Sequence, residues 1–194
     1  REIVNKKIYI FSDNKEKNYT ILDCGANIGL ASIELSRNYP NSKIIAFEPD
    51  PEIFEVLKKN TKKISNIKIN NCAIWTSAGE TEFNSSPSDA GSMSAQTENS
   101  KKIKVRTEDI KKYLDEKIDF LKIDIEGAEY EVIKAAENKL HNVYNIFVEY
   151  HCDDLKNNKF AEMVNILSKN NFNYYLSPEN VPASPFTNKR KPGF

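Results

Sequence analysis

Short apolar runs alternate along this chain with stretches of helical apolar spacing, and this alternation constrains the fold more than any other feature. The predicted strands cover residues 20–24, 43–48, 66–74, 118–125 and 143–150. The predicted helices cover residues 28–37, 51–63, 128–138 and 160–169. Strands that alternate with helices form parallel sheets with helices on both faces, so the sequence predicts an α/β fold. Ligands of such sheets bind beyond the carboxyl ends of the strands, where the strand order reverses.

The first predicted strand runs directly into a glycine-containing loop at residues 23–29. Gly25 and Gly29 allow a tight turn and the close approach of a ligand. The following helix, with Asn27 as its predicted N-cap, offers its N-terminal amides. In the dinucleotide fingerprint G-x-G-x-x-G the middle glycine clears space for a pyrophosphate. Ala26 occupies that position here, so the loop suits a nucleoside without phosphates better than NAD or FAD.

Two acidic residues narrow the choice of ligand. Asp23, at the end of the first strand, would repel a pyrophosphate and attract a cation such as the amino group of S-adenosylmethionine. Glu48 ends the second strand. Its distance along the sequence from Gly25 is close to the ~20 residues expected for an acid that binds ribose hydroxyls. The pair therefore favours S-adenosylmethionine over a redox cofactor. By its position in the fold, the end of the third strand should border the adenine, and its Cys72 is predicted to be an inert thiol.

Ionisable residues collect at the ends of the fourth and fifth strands. Period-two alternation puts Lys122, Asp124 and Glu126 on one side of the fourth strand, where charges are costly unless paired. Glu149 and His151 share one face at the end of the fifth strand. Histidine is the usual general base near neutral pH, with a pKa near ~6.5 if unperturbed. We predict catalytic roles for His151 or Asp124 as the base, with Glu149 orienting His151.

The sequence leaves two points about these residues open. Glu129, on the next helix, is either a site residue or an acid that stabilises the start of the helix through its dipole. Asp124, Glu149 and His151 would also suit a divalent cation. Nothing in their spacing requires one, so no metal is predicted.

Composition and length restrict partners, compartment and domain count. Acidic and basic residues balance at 28 each, which argues against nucleic-acid and membrane partners. Three cysteines without a CxxC pair fit a cytoplasmic, reducing compartment and no zinc site. The 194 residues fit one domain. We expect an N-terminal extension at 1–18, trimmed from a longer parent, a surface loop or mobile lid at 84–100, and an extended tail at 177–194.

These motifs together resemble the FkbM family of S-adenosylmethionine-dependent methyltransferases. The resemblance covers residues 19–151, and Lys-Ile-Asp-Ile-Glu-Gly-Ala-Glu at residues 122–129 is its most family-specific string. It implies a Rossmann-like class I methyltransferase, with a mostly parallel seven-stranded sheet whose last strand is antiparallel. It also implies O-methylation of a hydroxyl on a sugar, a glycan or a natural product. The predicted cofactor site is Asp23, Gly25, Ala26, Asn27, Gly29, Glu48, Pro49, Asn71, Cys72, Ala73, Asp124 and Glu126.

Other functions remain as alternatives. An N-methyltransferase of nucleic acid or protein would share the cofactor half, but the Asn/Asp-Pro-Pro-aromatic element of amino-methylating DNA enzymes is missing at residues 124–127. A non-catalytic nucleotide-binding domain would leave the ionisable residues at the strand ends unexplained. An NAD-dependent dehydrogenase is disfavoured by Ala26 and Asp23. The expected partner is a small-molecule or glycan acceptor, and the oligomeric state does not follow from the sequence.

Overall fold

The computed structural model describes residues 8–85, 101–152 and 158–177. In chain order its elements are β1 (Thr20–Cys24), α1 (Leu30–Asn38), β2 (Lys43–Phe47), α2 (Pro51–Thr61), β3 (Ile67–Asn70), β4 (Ala73–Trp75), β5 (Gly79–Ser85), β6 (Lys101–Asp109), α3 (Ile110–Tyr113), β7 (Phe120–Ile123), α4 (Glu129–Ala136), a 3₁₀ helix (Glu137–Asn142), β8 (Ile146–Val148) and α5 (Phe160–Lys169). None of the helices in these ranges combines the length and the apolar character of a membrane span.

Five parallel strands form the central sheet, in the order β3-β2-β1-β7-β8. The chain runs outward from β1 to β3 and then returns to the other side of β1, so the strand order reverses between β1 and β7. Such a reversal is where α/β sheets bind ligands. The mostly parallel, Rossmann-like architecture is confirmed. The central sheet has five strands in the described ranges, not the predicted seven. After β8 these ranges contain only α5 and irregular chain, so no further strand joins the sheet there.

Alternating strand residues place apolar side chains on both faces of this sheet, where the predicted helices cover them. On one face Ile21, Ile44 and Phe120 pack against α1. On the opposite face Leu22, Ile45 and Leu121 pack in a larger cluster with residues of α4 and α5. Full burial of each such side chain contributes about 1.5–3 kcal/mol. Helices therefore cover both faces, and the carboxyl ends of the strands are left for a site.

The first described residues belong to this core. Tyr9 and Phe11 lie within the predicted N-terminal extension, yet both pack on the face that α1 covers. The ring of Phe11 stacks on that of Phe120, with centroids 4.8 Å apart. Tyr9 and Phe11 are therefore part of the hydrophobic core.

A second sheet of three strands, in the order β4-β6-β5, was not predicted. The predicted strand at 66–74 breaks after Asn70, and its second half pairs with β6 instead of the central sheet. Residues 84 and 85, predicted to be loop, are the last residues of β5, which pairs antiparallel with β6. The rest of that predicted loop, residues 86–100, lies outside the described residues, as does the predicted tail beyond residue 177.

Candidate functional site

The loop after β1 depends on glycine for its shape. Gly25 has φ +83°, in the left-handed region. A Cβ on Gly25 would lie 1.7 Å from the backbone oxygen of Asp124, so no larger residue fits without a shift of the chain just after β7. The amides of Gly25 and Ala26 donate hydrogen bonds to the carbonyl of Phe47 at 3.1 and 2.8 Å. The loop is thereby held against the ends of both β2 and β7.

Asn27 is not the N-cap of α1, so this prediction was wrong. The helix begins at Leu30, and Gly29, with φ +93°, takes the N-cap position. The Asn27 side chain instead accepts a hydrogen bond from the amide of Ile28 at 2.7 Å. The tight turn of the loop delays the helix start, because Asn27 itself adopts φ +50°.

Glu48 is nearly buried at the end of β2, and each of its carboxylate oxygens accepts a backbone hydrogen bond. The donors are the amides of Asn27 and Asp50, both at 2.8 Å. Burial raises the pKa of Glu48 to about 7, although both amides favour the ionised form. Each oxygen retains a second lone pair, so the carboxylate can still accept hydrogen bonds from a ligand's hydroxyls.

Lys122 lies buried in the centre of the sheet between two carboxylates. Its Nζ is 3.2 Å from Asp23 Oδ1 and 3.1 Å from Asp124 Oδ2, and it donates to the carbonyl of Gly25 at 2.9 Å. Burial alone would lower the pKa of Lys122, but the two carboxylates outweigh it and raise this pKa. The ionisable residues on this side of the strand are thus paired, which offsets the cost of their burial.

Asp23 is completely buried, and its observed contacts are internal. Beside its ion pair with Lys122, it accepts a hydrogen bond from the Ser32 hydroxyl at 2.6 Å. The predicted contact of Asp23 with the cofactor's amino group stays a prediction. Through Lys122, Asp23 also supports the position of Asp124.

A pocket with an empty volume of about 620 Å³, partly open to solvent, lies beside the ends of β1, β2 and β7. The predicted cofactor residues that line it are Gly25, Asn27, Glu48, Pro49, Ala73, Asp124 and Glu126. The predicted residues outside its lining are Asp23, Ala26, Gly29, Asn71 and Cys72.

Apolar residues that complete the lining were missed from the sequence, namely Phe47, Ile53, Ile74, Phe83 and Ile125. In a sequence, apolar residues at strand ends cannot be told from core residues. Phe83 lies in β5, a strand that was not predicted.

Two predicted cofactor residues on the segment after β3 have internal contacts, and their contact with the cofactor stays a prediction. The Asn71 side chain donates hydrogen bonds to the carbonyls of Glu48 and Pro49 at 2.9 and 3.1 Å. It thereby stabilises the segment after β2 that lines the pocket. Cys72 is completely buried, and burial raises the pKa of its thiol. This environment agrees with the prediction of an inert thiol.

His151 follows β8 and lies among carboxylates. Its Nδ1 is 3.1 Å from Glu129 Oε1, while its Nε2 is 3.6 Å from Glu126 Oε2 and 4.0 Å from Glu149 Oε1. The hydrogen bond to Glu129 is the main cause that raises the pKa of His151 to about 9, against the opposing effect of partial burial. At neutral pH the imidazole is therefore protonated, unlike an unperturbed histidine. Sequence spacing pointed to Glu149 as its partner, but Glu129 is the closer one.

The comparisons with known proteins decide the family. Residues 23–174 match the methyltransferase FkbM domain. The chain belongs to the FkbM methyltransferase family. It is a methyltransferase domain of the type that uses S-adenosylmethionine as its cofactor.

Two curated methyltransferases and one solved structure are similar to much of this chain. Methyltransferase sdnD of Sordaria araneosa is 32% identical, over 70% of this chain and 68% of that protein. The hexuronic acid methyltransferase AglP of Haloferax volcanii is 30% identical, over 74% of this chain and 61% of AglP. The crystal structure of a methyltransferase FkbM from Methylobacillus flagellatus KT has the same fold, with a TM-score of 0.55 at 20% identity. It covers 84% of this chain, which spans only 40% of that protein.

A metal ion is the remaining question for the FkbM site. Three atoms that could bind a metal lie within 4.8 Å of one another, namely one carboxylate oxygen each of Asp124 and Glu126 and one ring nitrogen of His151. The structure thus groups Glu126, rather than Glu149, with the other two residues of the metal alternative. A metal would have to displace the proton of His151, whose pKa is raised to about 9, and this competition weakens metal binding at neutral pH.

We therefore expect the protein to show no saturable binding of Mn²⁺ or Mg²⁺ in calorimetric titrations at pH 7. For the same reason a chelator should leave methyl transfer intact. Loss of transfer with a chelator, followed by rescue with Mg²⁺ or Mn²⁺, would contradict this prediction. The His151→Ala variant is the control for any heat that is observed, because it removes the only nitrogen ligand of the group.

Proposed function

We propose that this FkbM domain is an S-adenosylmethionine-dependent O-methyltransferase that acts on a hydroxyl of a sugar, a glycan or a natural product. The observation that carries the proposal is the position of His151 beside Glu126, a residue of the pocket lining. A hydroxyl has a high pKa and needs a base to take its proton during transfer, and imidazole suits that task. AglP, a relative named for its action on hexuronic acid, supports a sugar as the acceptor.

The pocket has features that suit S-adenosylmethionine. Gly25, which lines the pocket, has no side chain that could block a nucleoside, and Glu48 offers acceptors for ribose hydroxyls. Carboxylates at Glu48, Asp124 and Glu126 favour a ligand with positive charge. When bound, this cofactor supplies a methyl group that its sulfonium has already activated.

The chain's own residues then have a modest task. They must align the acceptor oxygen and exclude water, which the apolar lining of the pocket assists. His151 takes the acceptor's proton at Nε2, because Nδ1 is engaged by Glu129. Asp124 remains the alternative base, since it lines the pocket itself. Glu149 lies within 4.0 Å of Nε2 and can orient either the imidazole or the acceptor.

S-Adenosylhomocysteine should bind and raise the melting temperature of the protein, whereas NAD should not. We expect the Glu48→Ala variant to bind S-adenosylhomocysteine about 1.5–3 kcal/mol more weakly, because it loses charge-assisted hydrogen bonds to the ribose.

The affinity of the parent for S-adenosylhomocysteine should also fall as the pH drops through about 7, since Glu48 then gains a proton. Calorimetry measures both effects.

The control for the cofactor prediction is Glu52→Ala, which removes an exposed acid near the start of α2 and should leave affinity unchanged. Equal affinity in Glu48→Ala and the parent would remove Glu48 from the cofactor site. Asp23→Ala is less informative, because it also leaves Lys122 without its buried partner.

The proposed function is tested by a methyl-transfer screen read as formation of S-adenosylhomocysteine. The acceptors should include neutral sugars, uronic acids, oligosaccharides and hydroxylated natural products, with amines, peptides and oligonucleotides beside them. Transfer to a hydroxyl supports the proposal. Transfer only to nitrogen acceptors, or binding of S-adenosylhomocysteine without any transfer, would overturn it.

A further inference from the structure

Glu129 connects two segments that border the pocket. It is the first residue of α4 and is completely buried. Its carboxylate accepts hydrogen bonds from the amides of Ile125 at 3.2 Å and Gly127 at 3.0 Å. The same carboxylate contacts Nδ1 of His151 at 3.1 Å and the His151 amide at 3.5 Å. One side chain thus joins the turn after β7 to the segment after β8.

The turn that Glu129 holds is conformationally demanding. Glu126 has φ +55° and Gly127 has φ +96°, so two consecutive residues adopt the left-handed region. For a residue with a side chain, such as Glu126, this conformation is strained and persists only where its surroundings hold it. The hydrogen bonds to Glu129 supply such support, and they keep Glu126 at the pocket.

The same contact sets the orientation of the imidazole. Because Nδ1 faces the buried carboxylate of Glu129, Nε2 is the nitrogen that faces Glu126 and Glu149. The hydrogen bond from His151 and those from the backbone lower the pKa of Glu129, although its burial opposes them. Glu129 therefore carries its negative charge at neutral pH, as a buried partner of an imidazolium does.

We propose that Glu129 is a positioning residue, whose carboxylate holds the 125–127 turn and Nδ1 of His151 together and so directs Nε2 toward Glu126 at the pocket. The contribution of this arrangement to methyl transfer rests on the proposed function. The arrangement itself can be tested in the protein without any acceptor. On this proposal Glu129 is a site residue as well as an acid at the start of a helix.

Charged groups around His151 come from several elements, and each affects its titration. Glu129 faces the ring from α4, Asp124 and Glu126 lie on the segment after β7, and Glu149 precedes His151 on its own segment. Replacement of Glu129 by glutamine removes only one of these charges and keeps the shape of the side chain. The effect of this variant on His151 therefore isolates the contribution of Glu129.

Long-range ¹H–¹⁵N spectra of the imidazoles across a pH series test the proposal. The chain has two histidines, so a His141→Gln variant assigns the signals. In the parent, neutral His151 should carry its proton on Nδ1. In Glu129→Gln, the midpoint of its titration should fall by about 1–2 pH units, as expected for the loss of a hydrogen bond to a charged group.

The matched control is Glu131→Gln, which removes an exposed acid in the first turn of the same helix. It should leave the midpoint and the tautomer of His151 unchanged. An unchanged midpoint in Glu129→Gln would overturn the proposal. If Glu129→Gln does not fold, the tautomer of the parent decides, because a proton on Nδ1 supports the contact and a proton on Nε2 excludes it.

Turnover separates positioning from a purely structural role once an acceptor is known. Above the pKa of His151, which is about 9, the imidazole is neutral in both proteins, and there Glu129→Gln should lower kcat about 10-fold or more. The KM for S-adenosylmethionine should stay nearly unchanged, because glutamine can still accept the amide hydrogen bonds that hold Glu126 at the pocket. Glu129→Asp, which restores the charge, should recover part of the rate. A parent protein without transfer would contradict the proposed function, while the spectra would still decide the role of Glu129.

Discussion

Replacement of His151 by alanine should lower turnover by about 10²- to 10⁴-fold, the usual contribution of a general base. Affinity for S-adenosylmethionine should stay close to that of the parent. His151 contacts Glu126 and Glu129 but does not line the pocket that we assign to the cofactor. Initial rates of S-adenosylhomocysteine formation and calorimetric affinities measure the two quantities separately.

The pH dependence of the parent follows from the titration of this base. The pKa of His151 is raised to about 9, and only the neutral imidazole can accept a proton. At pH 7 roughly one molecule in a hundred carries the neutral form. Turnover should therefore rise with pH up to about 9, well above the value near ~6.5 for an unperturbed histidine. The residual activity of His151→Ala should lack this rise.

Two further variants make the assignment of the base decisive. His141→Ala removes the other histidine, which is exposed on the 3₁₀ helix, and should leave turnover unchanged. Asp124→Asn should harm both binding and rate, because Asp124 lines the pocket and pairs with Lys122. Full activity in His151→Ala together with an inactive Asp124→Asn would make Asp124 the base.

Replacement of Lys122 by methionine should lower the free energy of unfolding by about 3–5 kcal/mol, as expected when one partner of a buried ion pair is removed. The ammonium of Lys122 and the carboxylate of Asp23 are both buried, with 3% and 0% of the side chains exposed. Methionine has a similar volume but leaves Asp23 without a counter-charge. Urea unfolding followed by far-UV circular dichroism measures the loss.

An exposed ion pair of the same type provides the control. Lys102 pairs with Glu82 at 3.3 Å on the surface of the second sheet, with more than half of each side chain exposed. Lys102→Met should change the free energy of unfolding by no more than about 1 kcal/mol. Adding Asp23→Asn to Lys122→Met should recover part of the lost stability, since the two positions are coupled. Equal losses from Lys102→Met and Lys122→Met would contradict the role of burial.

The central architecture was predictable because it is encoded locally. The buried run at Thr20–Cys24 and the helical spacing at Phe160–Lys169 match the observed β1 and α5 residue for residue. Parallel strands bring their carboxyl ends to one edge, so the pocket positions of Glu48 and Asp124 also followed from the sequence. Periodicity and strand order suffice for such features, since each depends on neighbours along the chain.

The second sheet and the charge pairing were decided only by the tertiary structure. The break after Asn70 follows from the pairing of β4 with β6, whose residues are distant in sequence. Two charge pairs also join residues that are distant in sequence. Asp23 pairs with Lys122 on the neighbouring strand, and Glu129 of α4 contacts His151 after β8. The sequence by itself determined the parallel sheet and the edge that holds the site. Burial and long-range contacts set which charges pair at this edge and how strongly His151 holds its proton. The charge pairing and the pKa of His151 both depend on residues that are far apart in sequence.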